Sequence, residues 1–498
     1  MMNQKNKERK EQVAHIIEIP DEYRLVVDDQ EGVDDPYHLL WWEHKEGEEK
    51  TVQITLNRHT GNLIEFRIGD ENYFSSGKAA IEENKAREIA NVFIKKYVQE
   101  GLEFYTYVKV KGDRRGWKEV NYMQEVNGYP LPNTGCVVRV HPSGNVVNFH
   151  YNGQKAIEKK PLWPSEIVEE NIVLESLKTR QDMRLVFVDL TYSSCKYENG
   201  EEIKGHHLVY EPAPSHAFIN ASTGKDLYGP EHYKLPSAVL VDKPLKSSPK
   251  KDVLDLFDWD KEKFVKLDEK VDEDEVRIKF VLKEELQKEI EEKDSYSMDE
   301  FYKKHFPMLK HDEFVVITLD KETNQLLSFF MWKDEKKRRT ILSREQCLSK
   351  ALQFLEHTLP DATKYIQLWD DYEEEEGIER FSFSMYVNDI HVERKYIMIN
   401  INAENGAVMH YSGESSKFIK ELLTYETTPK VTKEEALEIY IEAMRVNLEW
   451  FLENEVGETN YELLYKQTTD ENYKDPFDCS REIRYIDAHT GEKIWSEY

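Results

Sequence analysis

Asn57-Arg58-His59-Thr60-Gly61 closes one alternating apolar stretch, Val52, Ile54 and Leu56, and opens another, Ile64, Phe66 and Ile68. Alternation puts every second side chain on one face of a strand, so the segment reads as a β-hairpin. An Asn or Asp side chain heading such a turn accepts backbone N–H groups two or three residues on. The closing residue must take positive φ, which glycine does without strain and asparagine tolerates. Five more stretches follow the same rule: His141-Pro142-Ser143-Gly144, Asn220-Ala221-Ser222-Thr223-Gly224, Asp320-Lys321-Glu322-Thr323-Asn324, Asn402-Ala403-Glu404-Asn405-Gly406 and Asp487-Ala488-His489-Thr490-Gly491. Their last residues fall at 61, 144, 224, 324, 406 and 491, so successive spacings are 83, 80, 100, 82 and 85. This is an internal repeat with one insertion, and it decides the architecture.

Helical patterns precede most of these hairpins. Ala86, Ile89, Ala90, Phe93, Ile94, Tyr97 and Val98 form one apolar stripe. Ser343-Arg344-Glu345-Gln346 and Thr432-Lys433-Glu434-Glu435 are capping boxes that open two further helices, and a weaker one follows Pro164-Ser165. Between helix and hairpin lie alternating strands, Phe104, Thr106, Val108 and Val110 in one unit and Phe381, Phe383, Met385 and Val387 in another. A one-striped helix must cover a one-faced sheet. The expected fold is therefore α+β: tandem repeats of one helix packed on a small antiparallel sheet, six units in two similar halves.

The halves are marked by a longer repeat, in which Asn127 to Tyr151 aligns with Asn388 to Tyr411 and Tyr23 to Trp42 with Phe264 to Leu282. The first half is expected over 1–240, with units at about 4–70, 76–153 and 163–230. A linker, 241–257, contains the Pro-, Ser- and Lys-rich stretch Lys243 to Lys251. The second half, 258–498, holds units at about 258–333, 340–413 and 430–498, the first carrying a helical insertion at 283–310.

Among the 498 residues, Lys and Arg total 68 against 97 Asp and Glu, a net charge of −29. Such acidity argues against nucleic acid or an anionic membrane as partner. There is no run of about 18 apolar residues, so no transmembrane helix or membrane insertion is expected. Met1 to Gln12 is polar, without the apolar stretch of a signal peptide, and the expected location is cytoplasmic. Cys136, Cys195, Cys347 and Cys479 are far apart and read as free buried thiols.

Val126-Asn127-Gly128-Tyr129-Pro130-Leu131-Pro132, followed by Cys136 to Val147, resembles the signature of PepSY and related propeptide domains, which precede the catalytic domain of thermolysin-type metalloproteases. Over nearly the whole chain the layout is similar to the YcdB/YcdC repeated-domain family. In the second half the signature is degraded to Asn388-Asp389-Ile390-His391-Val392. The resemblance implies a non-catalytic module whose partner is a protein such as a peptidase. Physically, Asn127-Gly128 suits a two-residue hairpin turn, and Pro130 and Pro132 suit a sheet edge, one able to receive a partner's strand.

No HExxH, GxSxG, P-loop or GxGxxG in strand-helix context is present. His206-His207 and His216 lack the spacing of a zinc site. The acidic run Asp370 to Gly377 lacks the alternating ligands of an EF-hand and reads as a solvated loop. Trp41-Trp42 sits in a strand, so packing accounts for at least one of the two. No catalytic, metal or cofactor-binding residue is expected, and partner-binding residues and oligomeric state are left open. The favoured reading is a non-catalytic protein-binding module that regulates or inhibits a peptidase. The alternatives are a structural, envelope- or spore-associated repeat protein, or an enzyme with a site between the halves.

Overall fold

The computed structural model describes residues 4–29, 36–69, 73–74, 80–98, 102–112, 116–151, 160–191, 193–228, 238–241, 253–287, 293, 295–306, 309, 311–332, 339–369, 376–455, 458–473 and 481–497. It contains α-helices and mainly antiparallel sheets.

Five of the six turns form by the expected chemistry, and in the second the His141 ring Nδ1 takes the place of the Asn or Asp oxygen, accepting from the Ser143 N–H at 3.1 Å. Asn57 Oδ1 accepts the His59 and Thr60 N–H groups at 3.0 and 2.9 Å. Asp320 Oδ1 accepts those of Glu322 and Thr323, and Asp487 Oδ1 those of His489 and Thr490. The closing residues Gly61, Gly144, Gly224, Asn324, Gly406 and Gly491 all have positive φ, 56° at Asn324.

The described residues up to Tyr151 build one eight-stranded sheet and a separate two-stranded ribbon. A polar helix α1 (Gln4–Val13) leads into β1 (Tyr23–Asp29), β2 (Tyr37–His44), β3 (Gly47–Asn57) and β4 (Leu63–Ile68). Helix α2 (Glu83–Tyr97) then precedes β5 (Tyr107–Gly112), β6 (Lys118–Met123), a two-stranded ribbon of β7 (Glu125–Val126) and β8 (Tyr129–Pro130), and β9 (Cys136–Val140) and β10 (Val146–Tyr151). The strands run β1-β2-β3-β4-β10-β9-β6-β5, so the two expected units share one sheet through β4 and β10. The strand expected from Phe104 begins only at Tyr107; Leu102–Phe104 is a short 3-10 helix. Ala86, Ala90 and Ile94 from α2 close the core over Phe66, Val138 and Phe149.

Next come α3 (Glu170–Arg180), β11 (Asp182–Asp189), β12 (Cys195–Tyr197), β13 (His206–Ala213), β14 (Phe218–Asn220) and β15 (Ala238–Leu240). The sheet of the first repeat then recurs as β16 (Phe264–Val271), β17 (Glu275–Leu282), β18 (Phe314–Asp320), β19 (Leu326–Trp332), β20 (Ile366–Trp369), β21 (Ile378–Val387), β22 (Ile390–Asn402) and β23 (Val408–Ser412). Helices α4 (Met298–His305) and α5 (Arg344–Thr358) lie in this stretch, and β19 joins β23 as β4 joins β10. The chain ends with α6 (Ser416–Leu422), α7 (Lys433–Ala443), β24 (Arg445–Glu455), β25 (Glu458–Thr468), β26 (Arg481–Asp487) and β27 (Lys493–Glu497). The capping boxes at Ser343 and Thr432 are formed, and a third, Ser297 with Glu300, starts the helix of the insertion.

The two halves do not end in separate sheets. Strand β13 pairs with β26, giving the order β11-β13-β26-β27-β12, while β14 pairs with β25, giving β14-β25-β24. Helix α7 lies on β11, β13 and β26, and α3 on β24. Each hairpin expected at the end of one half is thus completed by strands from the other. The Gln467 side-chain amide crosses this exchange, donating to Gln181 Oε1 at 3.1 Å and to Tyr440 Oη at 3.2 Å. The expected joint at 241–257 therefore separates no pair of independent halves. Its stretch from Lys243 to Lys251 lies outside the described residues.

Candidate functional site

The proline-rich edge was the place where a partner was expected. Asn127 and Gly128 both have positive φ, as the two-residue turn requires. The edge beyond them is not free, however: the chain covers it itself. Leu131 is fully buried, Tyr129 stacks on Trp163 with ring centroids 5.5 Å apart, and Trp163 meets Trp450 of β24 edge-on. Tyr461 donates its hydroxyl to the Pro132 carbonyl at 3.0 Å. The degraded copy docks comparably: after the Asn388-Asp389 turn, His391 and Val392 pair in parallel with Val186 and Phe187 of β11. Both copies of the loop clamp their repeat onto the exchanged strands, so this edge is an internal joint.

Trp41 and Trp42 are likewise absorbed by packing. Trp42 is fully buried and donates to Asn6 Oδ1 of α1 at 3.1 Å. Trp41, on the opposite face, meets Phe301 of α4 at 4.8 Å. The insertion is thus a strap from the second repeat onto the first: Tyr296 bridges Val27, and Phe301 packs with Val26 and Val27. Beneath it Asp28 is engaged by His38 at 2.8 Å, Arg9 at 2.9 Å and Lys5 at 3.2 Å. Burial alone would raise the Asp28 carboxyl, but these bonds hold it well below the usual carboxylate range.

His206 and His207, adjacent on β13, point to opposite faces of the strand. The ring of His206 lies between Phe418 and Tyr425, His207 accompanies the Lys204 carbonyl, and His216 packs near Phe218. The three do not converge. Cys136, Cys195 and Cys347 are buried free thiols, while Cys479 and residues 370–375 of the acidic run lie outside the described residues.

A charged seam joins β11, β13, β22 and β26. Arg184 bonds to Glu211, Arg484 reaches Glu211 at 3.3 Å and Glu393 at 3.5 Å, and Tyr485 donates to Glu393 at 2.7 Å. Burial, reinforced by Glu393, pushes the Tyr485 phenol up, and burial beside Arg184 lowers His391 to about 4. Each carboxylate is already held by a guanidinium, which suits cross-bracing of strands better than acid–base work on a substrate.

An open cavity of about 650 Å³ lies elsewhere, in the first repeat. Its walls are Ile16 and Ile17 after α1, Phe66 of β4, Phe93 of α2, and the Tyr73-Phe74 pair, with Val146 at the start of β10. Phe93 lies 5.2 Å from Phe149 and 4.6 Å from Tyr97. At the rim, Lys96 and Tyr97 both bond to the His15 carbonyl, and Tyr73 donates to that of Glu18 at 2.7 Å. Val92, also lining it, is 71% exposed. A volume of this size, apolar with a few polar groups at the mouth, falls in the range of ligand sites. Ile89, Phe93 and Tyr97 were legible as helix stripe, but the groove was not. Its signals were Ile16-Ile17 after a polar segment and Val92 off the stripe.

Two sheets of the same design, bound together by exchanged strands, define a tandem-repeat α+β protein. The chain belongs to the YcdB/YcdC repeated-domain family, whose description, "YcdB, YcdC repeated domain", matches residues 6–153 and again 267–415. These two matches cover the strands from β1 to β10 and nearly all of those from β16 to β23, and leave out the exchanged strands. The chain is similar to the uncharacterized protein YcdB of Bacillus subtilis (strain 168), 25% identical over 98% of this chain and 97% of that one. It is also similar to the uncharacterized protein YcdC of the same strain, 24% identical over 98% and 99%. Among solved structures, the Bacillus megaterium YpeB C-terminal domain aligns with 47% of this chain and 88% of its own, at 15% identity and a TM-score of 0.23.

Proposed function

We propose that this protein is a non-catalytic binding module whose partner is another protein. The observation that carries this reading is the open apolar groove of the first repeat. It stands against a charged seam in which carboxylates and guanidiniums already pair with one another. An acid–base or nucleophilic site needs a titratable group facing room for a substrate. The groove instead offers aromatic and aliphatic walls, with Lys96, Tyr97 and Tyr73 held against backbone carbonyls at its mouth, the make-up of a recognition surface.

The same reading takes the chain as six helix-on-sheet units, the third and sixth having exchanged strands. It places the protein in the cytoplasm. The likeness of Val126 to Pro132 to propeptide signatures makes a peptidase the first partner to try. Affinity capture with the tagged chain, from cytosol and from culture medium of its host, tests the proposal. A single protein that is enriched reproducibly and binds the purified chain in isolation supports it. Failure of every enriched protein to bind in purified form overturns it.

A further inference from the structure

The two repeats treat one position differently. Helices α2 and α5 are both 15 residues long, and Phe93 and Phe354 are each the eleventh residue. Phe66 of β4 faces Phe149 of β10, and Phe329 of β19 faces Tyr411 of β23. Val146 and Val408 each stand two residues after the turn glycine, Gly144 or Gly406. The walls of the open groove, Phe66, Phe93 and Val146, thus correspond to Phe329, Phe354 and Val408.

In the second repeat that place is filled by the chain itself. The segment entering β16 runs through a 3-10 turn, Val253–Leu256, and sets Phe257 into the site. The Phe257 ring stacks on Phe329 at 3.6 Å and meets Phe354 edge-on at 5.2 Å. Its backbone adds to the sheet as a parallel bridge to Val408, and the Asp258 N–H donates to the Val408 carbonyl at 2.9 Å. The Asp258 carboxylate then accepts from Asn402 and Asn405 of the turn. In the first repeat the corresponding segment turns back after α1, where the Ile16 and Ile17 N–H groups both bond to the Val13 carbonyl. Ile16 and Ile17 form one wall, and Val146 has no such bridge among the described residues. Strand β4 pairs with β10 only from Asn148 onward, so the start of β10 lies beyond it.

We infer that the groove of the first repeat is a docking site for an extended peptide segment of a partner protein, with an aromatic side chain seated against the half-buried Phe93, above the buried Phe66, and its backbone bridged to Val146. This inference rests on the protein-binding reading and gives it a location and a chemistry. The Phe257 segment is the internal example of the ligand. Main-chain bonds to a strand end supply affinity that is independent of sequence, and the aromatic pocket supplies selection.

The probe is a labelled, end-blocked peptide with the sequence Val253 to Asp260, titrated into the full chain by fluorescence anisotropy in salt sufficient to screen the acidic surface. One peptide should bind per chain. Val92→Glu, at an exposed groove position, should weaken binding at least tenfold while leaving the thermal transition in place. Replacing the peptide's phenylalanine by alanine should have a similar effect. Phe257→Ala in the full chain removes the ring but leaves the segment's backbone on Val408, so the stoichiometry should stay at one. No binding at millimolar peptide, or binding indifferent to Val92→Glu, overturns the groove assignment. If a captured partner binds the purified chain with an affinity that Val92→Glu leaves unchanged, the groove assignment falls and the broader reading stands. If the probe behaves as expected, the groove stands whatever the capture yields.

Discussion

Phe257 lies almost parallel to Phe329, with ring centroids 3.6 Å apart and planes 18° apart, and buries Phe354, while the corresponding Phe93 is only half-buried and borders an open cavity. One architecture therefore occurs twice in the chain, once closed by its own segment and once open.

The closed copy should depend on its plug. Phe257 is buried, and removing a buried phenylalanine ring costs about 3–5 kcal/mol. Phe257→Ala is expected to lower the urea midpoint of the transition that includes the second repeat. An unchanged midpoint would show that the ring contributes no packing there.

The Tyr129-Pro130-Leu131 stretch should behave as scaffold. Leu131 has no exposed surface and joins the core that includes Trp450. Leu131→Ala is expected to destabilise the fold by about 2–5 kcal/mol, read as an earlier thermal transition. A variant of native stability that has lost its partner would instead restore the edge as a recognition surface.

The strap and α1 meet at Asp28. Its carboxyl is held low in the folded state, so its contribution is fully present above the ordinary aspartate pKa. It is lost as pH falls through and below that value. Asp28→Asn removes the buried charge that faces Arg9, Lys5 and His38, a change expected to cost about 3 kcal/mol. Hydrogen exchange should show α1 and the Tyr296 bridge opening first. Equal protection in variant and parent would count against this assignment.

His391 should confer sensitivity to mild acid. Burial next to Arg184 lowers it from 6.5 to about 4, so between those values the unfolded chain binds a proton that the folded chain does not. Stability from this group is complete above pH 6.5 and declines as pH falls toward 4, by at most about 3 kcal/mol. His391→Gln should flatten the fall of the melting temperature between pH 7 and pH 4.5. Identical slopes for the two proteins would remove His391 as the cause.

The turns, the capped helices and the long repeat were legible because their causes are local. An Asn or Asp bonding its own backbone, a residue forced to positive φ and a capping box each act within a few residues. Helix α1 was not legible, since Val13 is its one buried aliphatic residue and its anchor is a polar bond from Trp42 to Asn6. The strap role of the insertion, centred on Phe301, was hidden because the face it covers belongs to a strand some 270 residues earlier.

The sequence by itself determined the period of this protein, the chemistry of five of its six turns and the α+β character of its repeats, because short-range hydrogen bonding and apolar alternation are written residue by residue. Only the tertiary structure decided how strands were shared. Whether β13 pairs with its own half or with β26 depends on which edges meet in space, and any apolar strand of suitable length satisfies the same ladder. The groove was decided at the same level. Phe257 in one repeat and Ile16 in the other differ little in hydrophobicity, yet one backbone bridges the sheet and the other turns away from it, leaving room for a guest.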